Sequence, residues 1–325
     1  MPPLMNIIKK SLNKLDTYQQ NHRFPGFVYA VIKKYGEDEA GYQAALLTYY
    51  GFLSLFPLLL VLTTVAGLLA NSHPDIQNTI ITGVTDYFPV LGSQLSDHVH
   101  TLHRSGIALV IGIVFTLYGA RGVADAFRHG VNHIWQVPRK KRDSFPKTVA
   151  KSLGLILIGG LGLIFASIIA GLAAGAGHGW DFRVLSIAVN LFILFWLFMF
   201  LLNVSLPKHL TVREVGVGAA AAAIGLVILQ SLGGYLLARE LKGLDALYSN
   251  FAIALGLLFW IYLQAQMLYY AVEIAAVHAQ HLWPRSLGND PLTPADKRSY
   301  AQQAAKEETP PQQKVHSTFE DKKSD

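Results

Sequence analysis

Tyr262, Gln266, Tyr269 and Glu273 recur at three- and four-residue spacing in an otherwise apolar stretch, so a helix would carry them on one arc. Tyr270 widens that arc to roughly 100° at the usual helical turn. An ionisable side chain at the centre of a bilayer costs about 2.5–3.5 kcal/mol even on the lenient scale, and less near the interface. Glu273 therefore has two readings, a polar lining for a substrate or proton path, or a hydrogen bond that holds its helix against neighbours. Tyr50, Ser54 and Pro57, at i, i+4 and i+7, make a matching face near the other end of the chain. Pro57 would free the carbonyl of Leu53 for a ligand or a neighbouring hydroxyl, or simply kink the helix for packing.

Other constellations have simpler accounts. Arg121 and Asp125, at i and i+4, are placed to pair within a helix. The run Arg139, Lys140, Lys141 and Arg142 has no interleaved aromatics to stack bases, and fits anionic lipid headgroups better than nucleic acid. Asp97, His98, His100 and His103, with His73 nearby, have the residue types of a weak divalent-metal site, but an exposed helix accounts for them equally, and no metal or other cofactor is expected. The chain has no cysteine. It also lacks the Gly-rich nucleotide loop ending in Gly-Lys-Ser/Thr, the HExxH pair and the GxSxG elbow. With Glu273 read as standing alone, nothing offers a carboxylate pair for hydrolysis, and an enzyme is not expected.

The elements that must position these residues are apolar. The 325 residues are 52% hydrophobic and 15% charged, well under the roughly 25% charged of soluble domains. Six stretches, at about residues 44–70, 105–120, 149–174, 184–204, 215–237 and 251–277, approach the roughly 20 residues that a membrane-crossing helix needs. Only a structure that satisfies its own backbone survives in hydrocarbon, which predicts an all-α, polytopic six-helix bundle. The second stretch is the shortest, with 16 uncharged residues before Arg121, and its helix is expected to continue towards Trp135. Glycines in the third and fifth stretches suit close helix approach, whereas the Phe-rich fourth suits lipid.

Charge sets the orientation. Of 27 Lys and Arg, 23 fall in residues 1–43, 121–151, 208–213 and 285–323, and four in the alternate loops. Short cytoplasmic loops retain positive charge, so both termini are expected inside. The formal charge of +6 is then a topology signal before it is a partner signal. Residues 1–43 read as a cytoplasmic amphipathic segment, with Pro25-Gly26 dividing two helices on the leaflet, and not as a cleaved signal peptide. Residues 283–325 are rich in Pro, Gln, Lys, Glu and Ser, and read as a disordered cytoplasmic tail.

Three ordered segments carry a family resemblance. Residues 44–69 (AALLTYYGFLSLFPLLLVLTTVAGLL) resemble the first span of the bacterial YihY/virulence factor BrkB family. Residues 118–138 are similar to its helix-end segment, with Asn132 and Trp135 before a basic loop, and residues 248–277 to its last span, including Trp260, Tyr262 and Glu273. Ser249 departs from the glycine usual there. The resemblance implies a multi-pass protein of the bacterial inner (plasma) membrane. It also brings an old ribonuclease label, which the residues here do not support, because nuclease chemistry needs clustered metal ligands beside an RNA groove. The residues and the resemblance together lead to the expectation of a transporter or flippase for an amphipathic or lipid-like molecule in contact with membrane lipids. The alternative is a non-transporting scaffold for envelope machinery.

Overall fold

The structure is a computed structural model and describes residues 3–69, 106–174, 180–240, 249–288 and 291–320. Every regular element among the described residues is helical: α1 (Pro3–Asn21), α2 (Arg23–Glu37), α3 (Ala40–Leu69), α4 (Gly106–Ile134), α5 (Phe145–Ala174), α6 (Trp180–Ser205), α7 (Val212–Glu240), α8 (Ser249–Gln280) and α9 (Pro294–Lys306), with a 3-10 turn at Arg139–Lys141. Among the described residues four stretches are long and apolar enough to cross a membrane: Val110–Ile134, Val184–Ser205, Val212–Gly233 and Ala254–Gln280. The helix of the first, Gly106–Ile134, continues past Arg121 as expected and takes in Arg121, Asp125 and Arg128. The histidine cluster from His73 to His103 lies outside the described residues.

Helices α3 to α8 pack in a closed circuit, each on its neighbours in sequence and α8 back on α3. Helix α4 also reaches across to α6 and α8. Without a hydrophobic drive between helices in lipid, close approach depends on small residues. Gly119 and Gly122 of α4 provide it on the α3 side, where an added Cβ would sit 2.5 Å from Ser54 Cβ and 2.4 Å from the Tyr50 ring. Gly218 of α7 does the same on α8, where a Cβ would meet the Ala271 carbonyl at 2.5 Å. Helix α6 is two-faced rather than wholly lipid-facing. Phe192 and Trp196 are exposed, whereas Leu194, Phe198 and Leu202 are buried in the core.

The N-terminal break falls at His22, not at Pro25-Gly26. Pro25 occupies the first turn of α2, where a missing N–H leaves no intrahelical bond unmade. Helix α2 buries Gly26, Ala30, Val31 and Lys34 and packs on α8. The tail is not disordered over its described part. Helix α9 starts at a capping box in which the Thr293 side chain accepts from the Asp296 amide and Asp296 returns a bond to the Thr293 amide. Composition pointed to disorder because polar residues bury little apolar area. Here specific hydrogen bonds to a buried arginine do that work instead.

Candidate functional site

The polar residues gather where α2, α9, the C-terminal end of α4 and the C-terminal end of α8 meet. At its centre Lys34 is fully buried, with Asp38 at 1% exposure and Glu273 at 0%. Lys34 lies one helical turn before Asp38, so both point to the same side of α2's last turn. The Lys34 ammonium donates to Asp38, to the Ile134 carbonyl at 2.6 Å and to Glu273 Oε2 at 3.1 Å. All three of its protons are thereby used. Gln136 donates to the second Asp38 oxygen. Burial alone would lower the Lys34 pKa, but Glu273 and Asp38 outweigh it and raise it above the ordinary lysine value. Glu273, read from sequence as alone, shares this core with a second carboxylate and a lysine.

Beside it Arg285 forms a second lock. It is fully buried and grips Glu37 through both terminal nitrogens, at 2.7 and 3.0 Å, in the bidentate manner that suits guanidinium. Its Nε donates to Asp296 at 2.8 Å, and Lys33 reaches the same carboxylate at 3.1 Å. Burial works to raise the Asp296 pKa, but the Ser286 amide, Arg285 and Thr293 prevail and hold it well below the usual carboxylate range. Helix α2 is thus tied to α8 through Lys34, and to the segment after α8 through Lys33 and Glu37.

A third cluster joins α4 to α5. Asp125 accepts from Ser152 and lies 3.5 Å from Arg121 Nε. Arg128 donates to the Thr148 carbonyl at 3.0 Å and to Ser152 Oγ at 3.2 Å, and lies 3.5 Å from Asp143, which also pairs with Lys151 at 2.7 Å. Most of these groups are covered. The exceptions are Arg121 and Asp125, whose side chains are 49% and 39% exposed.

The stripe expected on α8 divides into two. Tyr269 is fully buried, donates to the Ala126 carbonyl at 3.2 Å and packs its ring on Gly130 and Phe127, so with Glu273 it fastens α8 to α4 and α2. Tyr262 and Gln266, farther from that end, keep partial exposure. On α3, Tyr50 and Ser54 are partly exposed and pressed against the α4 glycines, and Ser54 returns its hydroxyl to the Gly51 carbonyl at 2.9 Å. Pro57 sits within an unbroken helix.

The basic turn after α4 is already engaged. Arg139 pairs with Glu307 at 3.0 Å, and Lys140 with Glu308 at 2.7 Å and the Gln313 carbonyl at 2.6 Å. Arg142 donates to the Val137 carbonyl, while Lys141 is exposed. Sequence reasoning missed Lys34, Asp38, Arg285 and Asp296. The signal available was the i, i+4 spacing of Lys34 and Asp38, together with the need of an intramembrane Glu273 for a cation.

Comparison with known proteins agrees with this architecture. The virulence factor BrkB family is matched over residues 31–292, which takes in α3 to α8 and both buried locks except Asp296. The chain is 24% identical to the UPF0761 membrane protein PsycPRwf_0630 of Psychrobacter sp. (strain PRwf-1), over 82% of this chain and 51% of that protein. It thus spans about half the length of that relative. It is 25% identical to a ribonuclease-like protein, YfkH, of Bacillus subtilis (strain 168), over 77% of this chain and 94% of the relative. It is also 25% identical to the inner membrane protein YhjD of Escherichia coli (strain K12), over 71% and 74%. No solved structure matches. A family match over most of the chain and an all-helical fold with four membrane-crossing candidates agree: this is a membrane protein of the virulence factor BrkB family.

Proposed function

We propose that the chain is a six-span protein of the bacterial plasma membrane, with both termini cytoplasmic, that moves or flips an amphipathic, lipid-like molecule. Helices α3 and α5, each of 30 residues, supply the two spans beyond the four candidates, and the bias of Lys and Arg supplies the orientation. The observation that carries the transport reading is the Arg121–Asp125 pair, left half-exposed inside the candidate span Val110–Ile134. Charged side chains at membrane depth ordinarily face the bundle interior or mark a pathway for polar cargo. An open pair there offers a headgroup a partner of either sign.

The other polar face, from Tyr50, Ser54 and Pro57 to Tyr262, Gln266, Tyr269 and Glu273, narrows as a path. Tyr50, Ser54, Tyr262 and Gln266 remain partly accessible, whereas Tyr269 and Glu273 serve the closed base. The basic turn offers lipid headgroups Lys141 first, since Arg139 and Lys140 already hold tail carboxylates. No nucleotide-binding loop is present in the sequence, so a gradient or a partner's ATPase would drive movement. In this reading the protein is not an enzyme, takes no cofactor and binds no nucleic acid.

Reconstitution into liposomes with fluorescent phospholipid and lipid-precursor analogues tests this. Wild-type protein should accelerate leaflet exchange, and Arg121→Gln or Asp125→Asn should slow it. No exchange across a broad panel of amphiphiles would overturn the transport reading. A scaffold reading draws on one observation, the exposed apolar residues Leu12, Leu15, Tyr18 and Phe24 of α1 and α2. Deleting the N-terminus cannot discriminate, because Lys33, Lys34 and Glu37 belong to the buried locks. Leu15→Ser with Phe24→Ser can: loss of cellular function with leaflet exchange intact would favour the scaffold.

A further inference from the structure

Val110, Val114, Leu117, Arg121, Asp125 and Arg128 recur at three- and four-residue intervals and form one stripe along α4. At the C-terminal end this stripe faces α5, because Ser152 donates to Asp125 and receives a bond from Arg128. Towards the N-terminal end of α4 the contact is lost. Leu117, Val114 and Val110 are 54%, 59% and 61% exposed. On α5, two turns beyond Ser152, a Cβ built on Gly160 would meet nothing within 4 Å. Beyond the polar contact both helices thus leave surface uncovered, as two arms diverging from a polar vertex in a V would. The α4 arm lies within the candidate span Val110–Ile134.

The vertex has a definite charge. Arg121, Arg128 and Lys151 face Asp125 and Asp143, leaving one positive charge in surplus. Arg121 approaches its carboxylate to 3.5 Å at Nε, longer than a good hydrogen bond. Its guanidinium keeps donors for a further anion, and its planar fork can hold two phosphate oxygens at once. The Nε of Arg128 is buried without a hydrogen-bond partner among the described residues. An amphiphile with one anionic head and apolar chains is complementary to this vertex and these arms.

We propose that the V-shaped opening between α4 and α5 binds a phospholipid-type amphiphile, with its phosphate on Arg121 and its acyl chains against Val114 and Leu117. The site deepens the lipid-handling reading above and rests on it, but its test reads binding rather than movement. A photo-crosslinking amino acid replaces Leu117, or, as a control, the lipid-facing Phe192 of α6, 63% exposed. Each protein is placed in phosphatidylcholine nanodiscs with a trace of phosphatidylglycerol or of diacylglycerol. Phosphatidylglycerol should label position 117 at least several-fold over diacylglycerol. Arg121→Gln should reduce that labelling about tenfold, the loss of one charge-assisted contact, and Arg121→Lys should retain part of it. Labelling at 192 should not respond to either variant, which also shows that they fold. Equal labelling at 117 with and without Arg121, or no preference for the anionic head, would reduce the site to ordinary boundary lipid and overturn the proposal. Arg121-dependent labelling in a protein that exchanges no lipid would keep the site and remove the transport reading.

Discussion

Lys34 and Glu273 lie 239 positions apart in sequence and meet at 3.1 Å, with neither side chain more than 1% exposed. Desolvating charges is costly, and a buried pair tolerates it only when the remaining protons and lone pairs are satisfied. Asp38, Gln136 and the Ile134 carbonyl meet most of that need.

The two partners should not be equivalent. Lys34→Met strands two carboxylates, and should destabilise the protein by about 3–5 kcal/mol. Glu273→Gln leaves Lys34 with Asp38 and an amide oxygen, and should cost about 1–2 kcal/mol. Thermal unfolding in detergent, followed by circular dichroism, distinguishes them. Equal losses would mean that Asp38 does not share the lysine.

The base should loosen at both extremes of pH, for opposite reasons. The fold lowers the Asp296 pKa from its ordinary 3.8, so its contribution is complete above that value and is lost as pH falls. The fold raises Lys34 from its ordinary 10.5, so that contribution is complete below 10.5 and is lost as pH climbs beyond the raised value. Hydrogen exchange of residues 291–320 should rise on the acid side, and Asp296→Asn should flatten that arm. An acid arm unchanged in Asp296→Asn would assign it to another carboxylate.

The strap from Glu307 to Gln313 should be sensitive to salt. The Arg139–Glu307 pair has both side chains 56% exposed, a class usually worth about 0–1 kcal/mol and screened by salt. Cleavage by trypsin at Lys314 should accelerate severalfold from low to high ionic strength, and Glu307→Gln with Glu308→Gln should remove most of that dependence. Cleavage indifferent to salt in the parent chain would show that these pairs do not hold the strap.

Orientation can be tested directly because the chain has no cysteine. Ser93→Cys should react with an impermeant maleimide on intact cells, whereas Ser144→Cys, exposed in the turn before α5, should react only after permeabilisation. External labelling of both would mean that α4 does not cross, and the six-span proposal would fall.

The helical class and the apolar stretches were legible in sequence because periodicity and length report directly on the bilayer. The family was legible from three ordered segments. The locks were not. Arg285 falls in a stretch whose composition resembles a solvated tail, and nothing in the sequence sets Glu37 and Asp38 apart from other acidic residues beside a span. Only long-range packing shows that Glu37 and Asp38 turn inward to cations. The Glu273 stripe was seen correctly as polar, but sequence could not say that Tyr269 and Glu273 are closed off while Tyr262 and Gln266 keep partial exposure.

The ties between α2 and the end of α8 also set a schedule for biosynthesis. Lys33, Lys34, Glu37 and Asp38 emerge early, yet Glu273, Arg285 and Asp296 are made more than 230 residues later. At roughly 5–20 residues per second, Lys33, Lys34 and Glu37 wait some tens of seconds for these later partners. During that interval the N-terminal helices carry charges that the membrane cannot take in. A ribosome that stalls before residue 273 leaves Lys34 with Asp38 alone, and Lys33 and Glu37 without Asp296 and Arg285.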